Sequence, residues 1–515
     1  MSGKSRHTGN MICPLQVLTM AVDSTMDGLL LSGVTKDPLT FANTVDLAKS
    51  QDSRAQLSQD LAAVREESPS AADYDPVHDR QVDDQREEAM GHRRVDTASA
   101  TAYAEPIPDI KADPIRPSAD KAVVQTNAQD ANEFDMFAVH EDDMFADPDD
   151  SQPSQLNLNA AALIDPQEVT MLDEWDDEQG YYKAILGESL NGRYYVQANL
   201  GKGMFSGVVR ALDTQTQKLV AIKIVRRNET MTKAGVQEIK ILEQLNAADP
   251  EDQRHIVRLI GEFEHKNHLC MVFENLSMNL REALKKFGKD VGINMRVIRV
   301  YARQMFLGLS LLRKCNIIHA DIKPDNILIN EARSSLKICD LGSATDGADN
   351  PITPYLVSRF YRAPEIILGL PYDCAIDVWA IGCTLYELFT GRILFAGRSN
   401  NQMLRAIMEC QGKFSHKLLR RAAFTDRHFD DTLVFRSVEK DKMTGNDVVR
   451  MLPMTRPTRD LRTRLFGDPK GLPEDEARDM PAFIELLNRC LDTNPEKRIT
   501  PKEALAHPFF TKVKV

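Results

Sequence analysis

The stretch Ile317-Ile318-His319-Ala320-Asp321-Ile322-Lys323-Pro324-Asp325-Asn326-Ile327-Leu328-Ile329 sets a short polar loop between two apolar runs of strand-forming residues. The loop gathers Asp321, Lys323 and Asn326 within six positions. Immediately downstream, Leu336-Lys337-Ile338-Cys339-Asp340-Leu341-Gly342 reads as another apolar strand with an acid at its end. Taken singly, each of these residues is ordinary surface chemistry. In this order, an acid, a cation, an amide and a strand-end acid form a set that chance rarely assembles.

Working upstream, the pattern changes at Arg193, where Tyr194-Tyr195-Val196 begins an alternating run around the turn Gly201-Lys202-Gly203-Met204-Phe205-Ser206-Gly207-Val208. Two glycines spaced G-x-G also fit a dinucleotide-binding turn or a plain hairpin. A dinucleotide turn opens a helix, whereas here Val208-Val209-Arg210-Ala211 continues as strand, so the spacing predicts a hairpin whose backbone N–H groups fold over phosphates. Val208 and Ala221 are then placed to sandwich an adenine ring. Lys223, in Val220-Ala221-Ile222-Lys223, needs a carboxylate or a phosphate if it is buried. Glu238 is the expected partner, on a helix whose apolar positions are read as Val236, Ile239, Leu242 and Leu245.

Phosphoryl transfer asks the protein for positioning and charge neutralisation rather than covalent chemistry. Asp340 and Asn326 would hold magnesium, Asp321 would accept or orient the hydroxyl proton, Lys323 would neutralise the transferred group, and Lys223 would clamp the earlier phosphates. After Thr353-Pro354-Tyr355-Leu356-Val357-Ser358-Arg359-Phe360-Tyr361-Arg362-Ala363-Pro364-Glu365 comes an apolar helix from Ala375 to Phe389. Asp377 on it is expected to accept backbone N–H groups of the catalytic loop, and Glu365 to pair with Arg498.

Charge divides the 515 residues. The first 190 carry 14 Lys and Arg against 37 Asp and Glu, and the remaining 325 carry 50 against 39. A uniformly acidic globule is excluded, and net +11 over the second part is too mild for a module built to wrap nucleic acid. The eight cysteines include no C-x-x-C pair, which argues against a disulfide scaffold or structural zinc and for a reducing compartment. Met11–Val22 is too short to span a bilayer and lacks a clean signal-cleavage site.

Residues 1–170 are expected to be mostly disordered and acidic, because apolar residues do not recur often enough to bury a face. Asp135-Met136-Phe137-Ala138 and Asp143-Met144-Phe145-Ala146 repeat within that acidic field, either as a docking motif for a basic groove or as chance repetition in a biased segment. Residues 171–193, with Trp175, Tyr181 and Tyr182, read as a cap on the following domain or as a plain linker.

From about Tyr194 to Phe510 the sequence resembles a eukaryotic protein kinase. The glycine-rich turn, VAIK, the helix glutamate, the catalytic loop, DLG, APE and the arginine before ITPKEAL occur in family order. SRFYRAPE and the insertion following Phe395-Ala396-Gly397 are similar to the branch containing cyclin-dependent, MAP, CLK and dual-specificity tyrosine-regulated kinases. HADIKPDNIL, TPYLVSRFYRAPEI, LSMNLREALKKFGKDVG and LPEDEARDM most resemble the pre-mRNA-processing-factor-4 serine/threonine kinases.

That resemblance implies an α+β bilobal kinase fold over 194–510, with a small antiparallel β lobe and one main helix at 194–275. A large helical lobe would occupy 276–510, with an insertion at about 398–470. It implies ATP and Mg2+ as cofactors, Phe273 at the back of the adenine pocket, and hinge backbone at Glu274 and Leu276 bonded to adenine. The expected activity is transfer of the ATP γ-phosphoryl to Ser or Thr of spliceosomal tri-snRNP proteins in the nucleus, by a monomeric kinase domain. Neither membrane nor direct nucleic-acid binding is expected. The alternatives are a CLK-type or dual-specificity tyrosine-regulated signalling kinase, and a catalytically dead scaffold.

Three positions depart from the common kinase pattern: Ser206 for the third loop glycine, Leu341 for phenylalanine, and Ala320 where most kinases carry arginine. Without that arginine the resemblance points to Tyr355 as the regulatory phosphosite, with Arg359 and Arg362 receiving its phosphate, while Thr353 and Ser358 matter less.

Overall fold

The structure is a computed structural model, and it describes residues 175–203, 205–288, 291–347, 356–441, 443, 447–466 and 474–511. The acidic region 1–170 with its Asp-Met-Phe-Ala duplicate, and Met204, Thr353 and Tyr355, lie outside the described residues.

The small lobe is a six-stranded antiparallel sheet. Its strands are β1 (Ser189–Leu190), β2 (Tyr194–Lys202), β3 (Ser206–Asp213), β4 (Lys218–Val225), β5 (Leu259–His265) and β6 (His268–Glu274), in the order β1-β2-β3-β4-β6-β5. Alternation decides which side chains go where. Tyr194, Val196, Val209, Ala211, Val220, Ile222, Ile224, Cys270 and Val272 bury on one face, with Tyr182 and Ala184 of the upstream segment packed against them. Each fully buried Val or Ile there is worth about 1.5–3 kcal/mol. Cross-strand partners share a face, and Val208 pairs with Lys223, Ala221 with Phe273, and Lys223 with Met271. Val208, Ala221, Lys223 and Phe273 therefore all lie on the face opposite that core.

Helix α1 (Glu229–Ala248) starts at Asn228, whose side chain accepts from the N–H groups of Thr230 and Met231. Its buried stripe runs through Met231, Gly235, Glu238, Ile239, Leu242 and Leu245. Val236 was expected on that stripe but is exposed. At Gly235 a Cβ would stand 2.9 Å from Leu269 and 3.3 Å from Val225, so the helix backbone packs against the sheet at the glycine, and Val236 next to it lies on the exposed side.

The large lobe is mainly helical. Helix α2 (Met295–Lys314) buries one face, whereas α3 (Ala375–Thr390) is buried at every position from Ile376 to Phe389, as befits a largely apolar helix whose two acids, Asp377 and Glu387, are both hydrogen-bonded. The catalytic stretch divides into β7 (Ile317–Ile318), a polar loop and β8 (Ile327–Ile329), and β8 pairs with β9 (Leu336–Ile338). The insertion expected at about 398–470 contains helix α4 (Asn400–Gln411) and an antiparallel hairpin of β10 (Phe435–Lys440) and β11 (Asp447–Leu452). No helix among the described residues is long and apolar enough to cross a membrane.

Candidate active site

The sheet brings Lys223 to α1, where its Nζ lies 2.9 Å from both carboxylate oxygens of Glu238 and 2.9 Å from Oδ1 of Asp340. Burial works against the ammonium, but the two carboxylates outweigh it and hold the Lys223 pKa above its ordinary value. In turn Lys223 pulls the Asp340 carboxyl down to about 2. Glu238 is pushed upward, chiefly by burial, with Lys223 opposing. Asp340 keeps 45% of its side chain exposed, so it is an ionised acid open to the cleft.

The loop after β7 is held from below. Asp377 on α3 accepts the N–H of His319 at 2.9 Å and of Ala320 at 3.0 Å. Ala320 has φ of 63° and Asp340 has φ of 59°, left-handed conformations that cost energy and recur where a site fixes its backbone. Buried His319 ties the two segments together, its Nε2 bonded to the Cys339 carbonyl at 3.0 Å and its Nδ1 accepting the Asp321 N–H at 3.2 Å.

Within the loop, Asn326 Nδ2 donates to the carbonyl and to Oδ2 of Asp321, each at 2.9 Å. Lys323 Nζ lies 2.9 Å from Asp321 Oδ2 and 3.1 Å from Ser358 Oγ, and Ser358 Oγ donates to Asp321 Oδ1 at 2.7 Å. Sequence reasoning gave Ser358 little weight. Its hydroxyl in fact bridges the loop acid and the loop lysine, and the only sequence signal was its place just before Arg359.

The donor set suits a magnesium nucleotide. Asp340 offers an ionised, accessible carboxylate, and the Asn326 amide is oriented by Asp321 through its nitrogen, which leaves its oxygen for a cation. A Cβ on Gly342 would lie 3.4 Å from Asp340 Oδ1 and 3.9 Å from Lys223 Nζ, so the missing side chain keeps the acid–lysine cluster uncovered. At Gly201 and Gly207 a Cβ would meet nothing within 4 Å. The bare backbone there is open to close approach by a phosphate.

At the back of the cleft Phe273 is buried on β6. Glu274 is anchored by Lys337 Nζ at 2.5 Å and by the Arg258 N–H at 2.9 Å, and Leu276 is half-buried just beyond.

Arg362 is buried, and its guanidinium donates to the carbonyls of Leu356 and Val357 and to Asn400 Oδ1 at 2.6 Å. Val357 has φ of 70°, a rare geometry for a β-branched residue, and its carbonyl is the one Arg362 holds at 3.0 Å. Arg359, expected beside it, is buried in the turn Arg359–Tyr361. Arg498 grips Glu365 at 2.6 and 2.9 Å with both side chains fully buried. Sequence reasoning did not find Arg281, which pairs with Glu387 and with Tyr361 and reaches Asp325 beside Asn326.

The sequence is similar to known proteins. Residues 194–510 match the family described as protein kinase domain. Serine/threonine-protein kinase prp4 of Schizosaccharomyces pombe is 54% identical over 373 residues, which is 72% of this chain and 78% of that protein. Serine/threonine-protein kinase prpf4B of Dictyostelium discoideum is 42% identical over 389 residues, 73% of this chain and 47% of that protein. Dual specificity tyrosine-phosphorylation-regulated kinase mbk-2 of Caenorhabditis briggsae is 36% identical over 340 residues, 65% of this chain and 41% of that protein. The chain belongs to the protein kinase family, as a serine/threonine protein kinase closely related to the Prp4 type.

Proposed function

We propose that this kinase phosphorylates Ser and Thr residues of spliceosomal tri-snRNP proteins in the nucleus, through the site formed by Lys223, Glu238, Asp321, Lys323, Asn326 and Asp340. The observation that carries the chemistry is the cluster of Asp321, Lys323 and Ser358, whose polar atoms lie within 3.1 Å of one another. The 54% identity to prp4 carries the choice of substrate class.

Asp321 receives the hydroxyl of the acceptor residue and takes its proton as the oxygen bonds to the γ-phosphorus. ADP leaves with the bridging oxygen, and the proton passes to solvent. Lys323 neutralises charge on the transferred group, and Lys223, aligned by Glu238, holds the earlier phosphates. Magnesium, held by Asp340 and Asn326, would supply Lewis-acid neutralisation of the phosphate oxygens.

Val357 and Arg362 bear on the residue after the acceptor. The Val357 carbonyl is taken by Arg362, so it is withdrawn from a substrate N–H at that position, and proline, lacking that N–H, loses nothing. Phosphorylation of Tyr355 would order this platform through Arg359, since the Arg362 guanidinium is already committed to the Leu356 and Val357 carbonyls and to Asn400.

The test is a comparison of phosphosites in cells carrying the wild-type chain or Asp340→Asn, together with the proteins each form retains. Loss of Ser-Pro and Thr-Pro sites on tri-snRNP proteins supports the reading. Loss confined to signalling proteins would contradict it and place the enzyme with general regulators instead.

A further inference from the structure

Upstream of the kinase domain, Trp175–Lys183 folds on itself and grips the small lobe at several points. Its own turn is closed by Asp177 N–H to the Tyr181 carbonyl at 2.8 Å and Lys183 N–H to the Trp175 carbonyl at 2.8 Å. Asp176 Oδ1 meets the buried His268 Nε2 at 2.7 Å, and the other ring nitrogen of His268 bonds the Val225 carbonyl at 2.7 Å. The Arg227 N–H donates to the Gly180 carbonyl at 2.8 Å, and Arg226 Nη2 donates to the Gln179 carbonyl at 2.6 Å. Gly180 has φ of 78°, and a Cβ there would lie 3.3 Å from the Arg227 carbonyl oxygen, so glycine is what permits this close approach.

From this anchored base the segment reaches the glycine-rich turn. Tyr181 Oη donates to the Gly203 carbonyl at 2.9 Å. Lys202 Nζ bonds Asp177 Oδ2 at 2.8 Å and lies 3.8 Å over the Tyr181 ring, whose neighbourhood also holds the Arg226 guanidinium at 4.4 Å. Arg226 closes the circuit, since its N–H donates to the Phe205 carbonyl at 3.1 Å. The turn is therefore held from outside at Lys202, Gly203 and Phe205, while the Cβ positions of Gly201 and Gly207 open onto unoccupied space.

We propose that Tyr181, with Asp177 beside it, is a positioning residue for ATP, a strap that sets the glycine-rich turn in its phosphate-binding pose before nucleotide arrives. The inference rests on the phosphate-binding reading of that turn. Across the turn the Gly203 N–H donates to the Ser206 carbonyl at 2.8 Å, so the Tyr181 hydroxyl adds an outer anchor to a carbonyl on a hairpin already closed from within. A turn with two unhindered glycines otherwise loses conformational freedom on binding, and an anchored one has already lost it.

The experiment uses the full chain and the variant Tyr181→Phe, which keeps the ring between Lys202 and Arg226 and removes only the hydroxyl. Steady-state kinetics with a Ser-Pro peptide measure KM for ATP, KM for peptide and kcat, and thermal unfolding measures stability. The expected result is a rise in KM for ATP of about threefold to tenfold, the worth of one hydrogen bond, with peptide KM and melting temperature unchanged. Asp177→Asn is expected to move KM for ATP in the same direction. Unchanged KM for ATP in Tyr181→Phe would overturn the proposal, as would a lowered melting temperature with unaltered KM, which would mark the segment as a stability element only. If the wild-type chain itself turned over no ATP, the phosphate-binding reading would fall instead.

Discussion

Arg281 Nη2 donates to the phenol oxygen of Tyr361 across 2.6 Å in the interior of the large lobe, although eighty residues separate them. The same guanidinium reaches Asp325 Oδ2 at 3.1 Å and pairs with Glu387, to which Tyr361 also donates at 2.6 Å. One buried cluster thus ties the catalytic loop to the turn Arg359–Tyr361 and to α3. Burial pushes the Glu387 carboxyl up, and Arg281 opposes that shift. Arg281→Met strands Glu387 without its cation, and chemical denaturation should register a loss of about 3–5 kcal/mol. Arg281→Met combined with Glu387→Leu should regain much of it, since an apolar pair carries no desolvation penalty.

Ser358 sits between Asp321 and Lys323, so Ser358→Ala should misplace both without touching the fold. A fall in kcat of up to about 100-fold is expected, with Ser358→Thr restoring most of it. Rate assays of the two variants at saturating ATP decide the point.

Asp377→Ala removes the acceptor for two buried N–H groups, those of His319 and Ala320. Each orphaned donor costs about 1–3 kcal/mol. Because Ala320 is held at a left-handed φ, the loop should relax as well, so kcat should fall together with the denaturation midpoint.

Burial raises the thiols of Cys270 to about 12, Cys410 to about 11 and Cys490 to about 12. A thiol with its folded pKa above the unfolded value contributes stability that is complete below about pH 9 and is lost as pH rises toward 11 to 12. At pH 8 the folded protein should protect these three from an alkylating reagent, and urea stability should decline from pH 9 upward. Alkylation of Cys270 at the rate of a free thiol would contradict this.

Much of the site was legible because a buried charge must find a partner. Lys223 demanded a carboxylate and α1 supplied Glu238, Glu365 required Arg498, and Asp377 on a largely apolar helix required donors. Strand alternation likewise put Val208, Ala221 and Lys223 on one face. Arg281 was not legible, because in Leu280-Arg281-Glu282-Ala283 it looks like one more solvated helix charge, and its partners come from segments 44, 80 and 106 residues away. Val236 was misplaced since periodicity counts apolar side chains and misses the contact that Gly235 makes by having none. Tyr181 read only as part of a cap or linker, whereas its effect on the glycine-rich turn comes from a hydroxyl whose acceptor is backbone.

Magnesium-dependent phosphoryl transfer depends on Asp340. Its most direct measurement is transfer of labelled γ-phosphate from ATP to a Ser-Pro peptide by the purified full chain, wild type against Asp340→Asn, with both shown to be folded by thermal unfolding. Transfer by the wild type is expected to disappear with chelation of magnesium and in Asp340→Asn. Undiminished transfer by Asp340→Asn would contradict it.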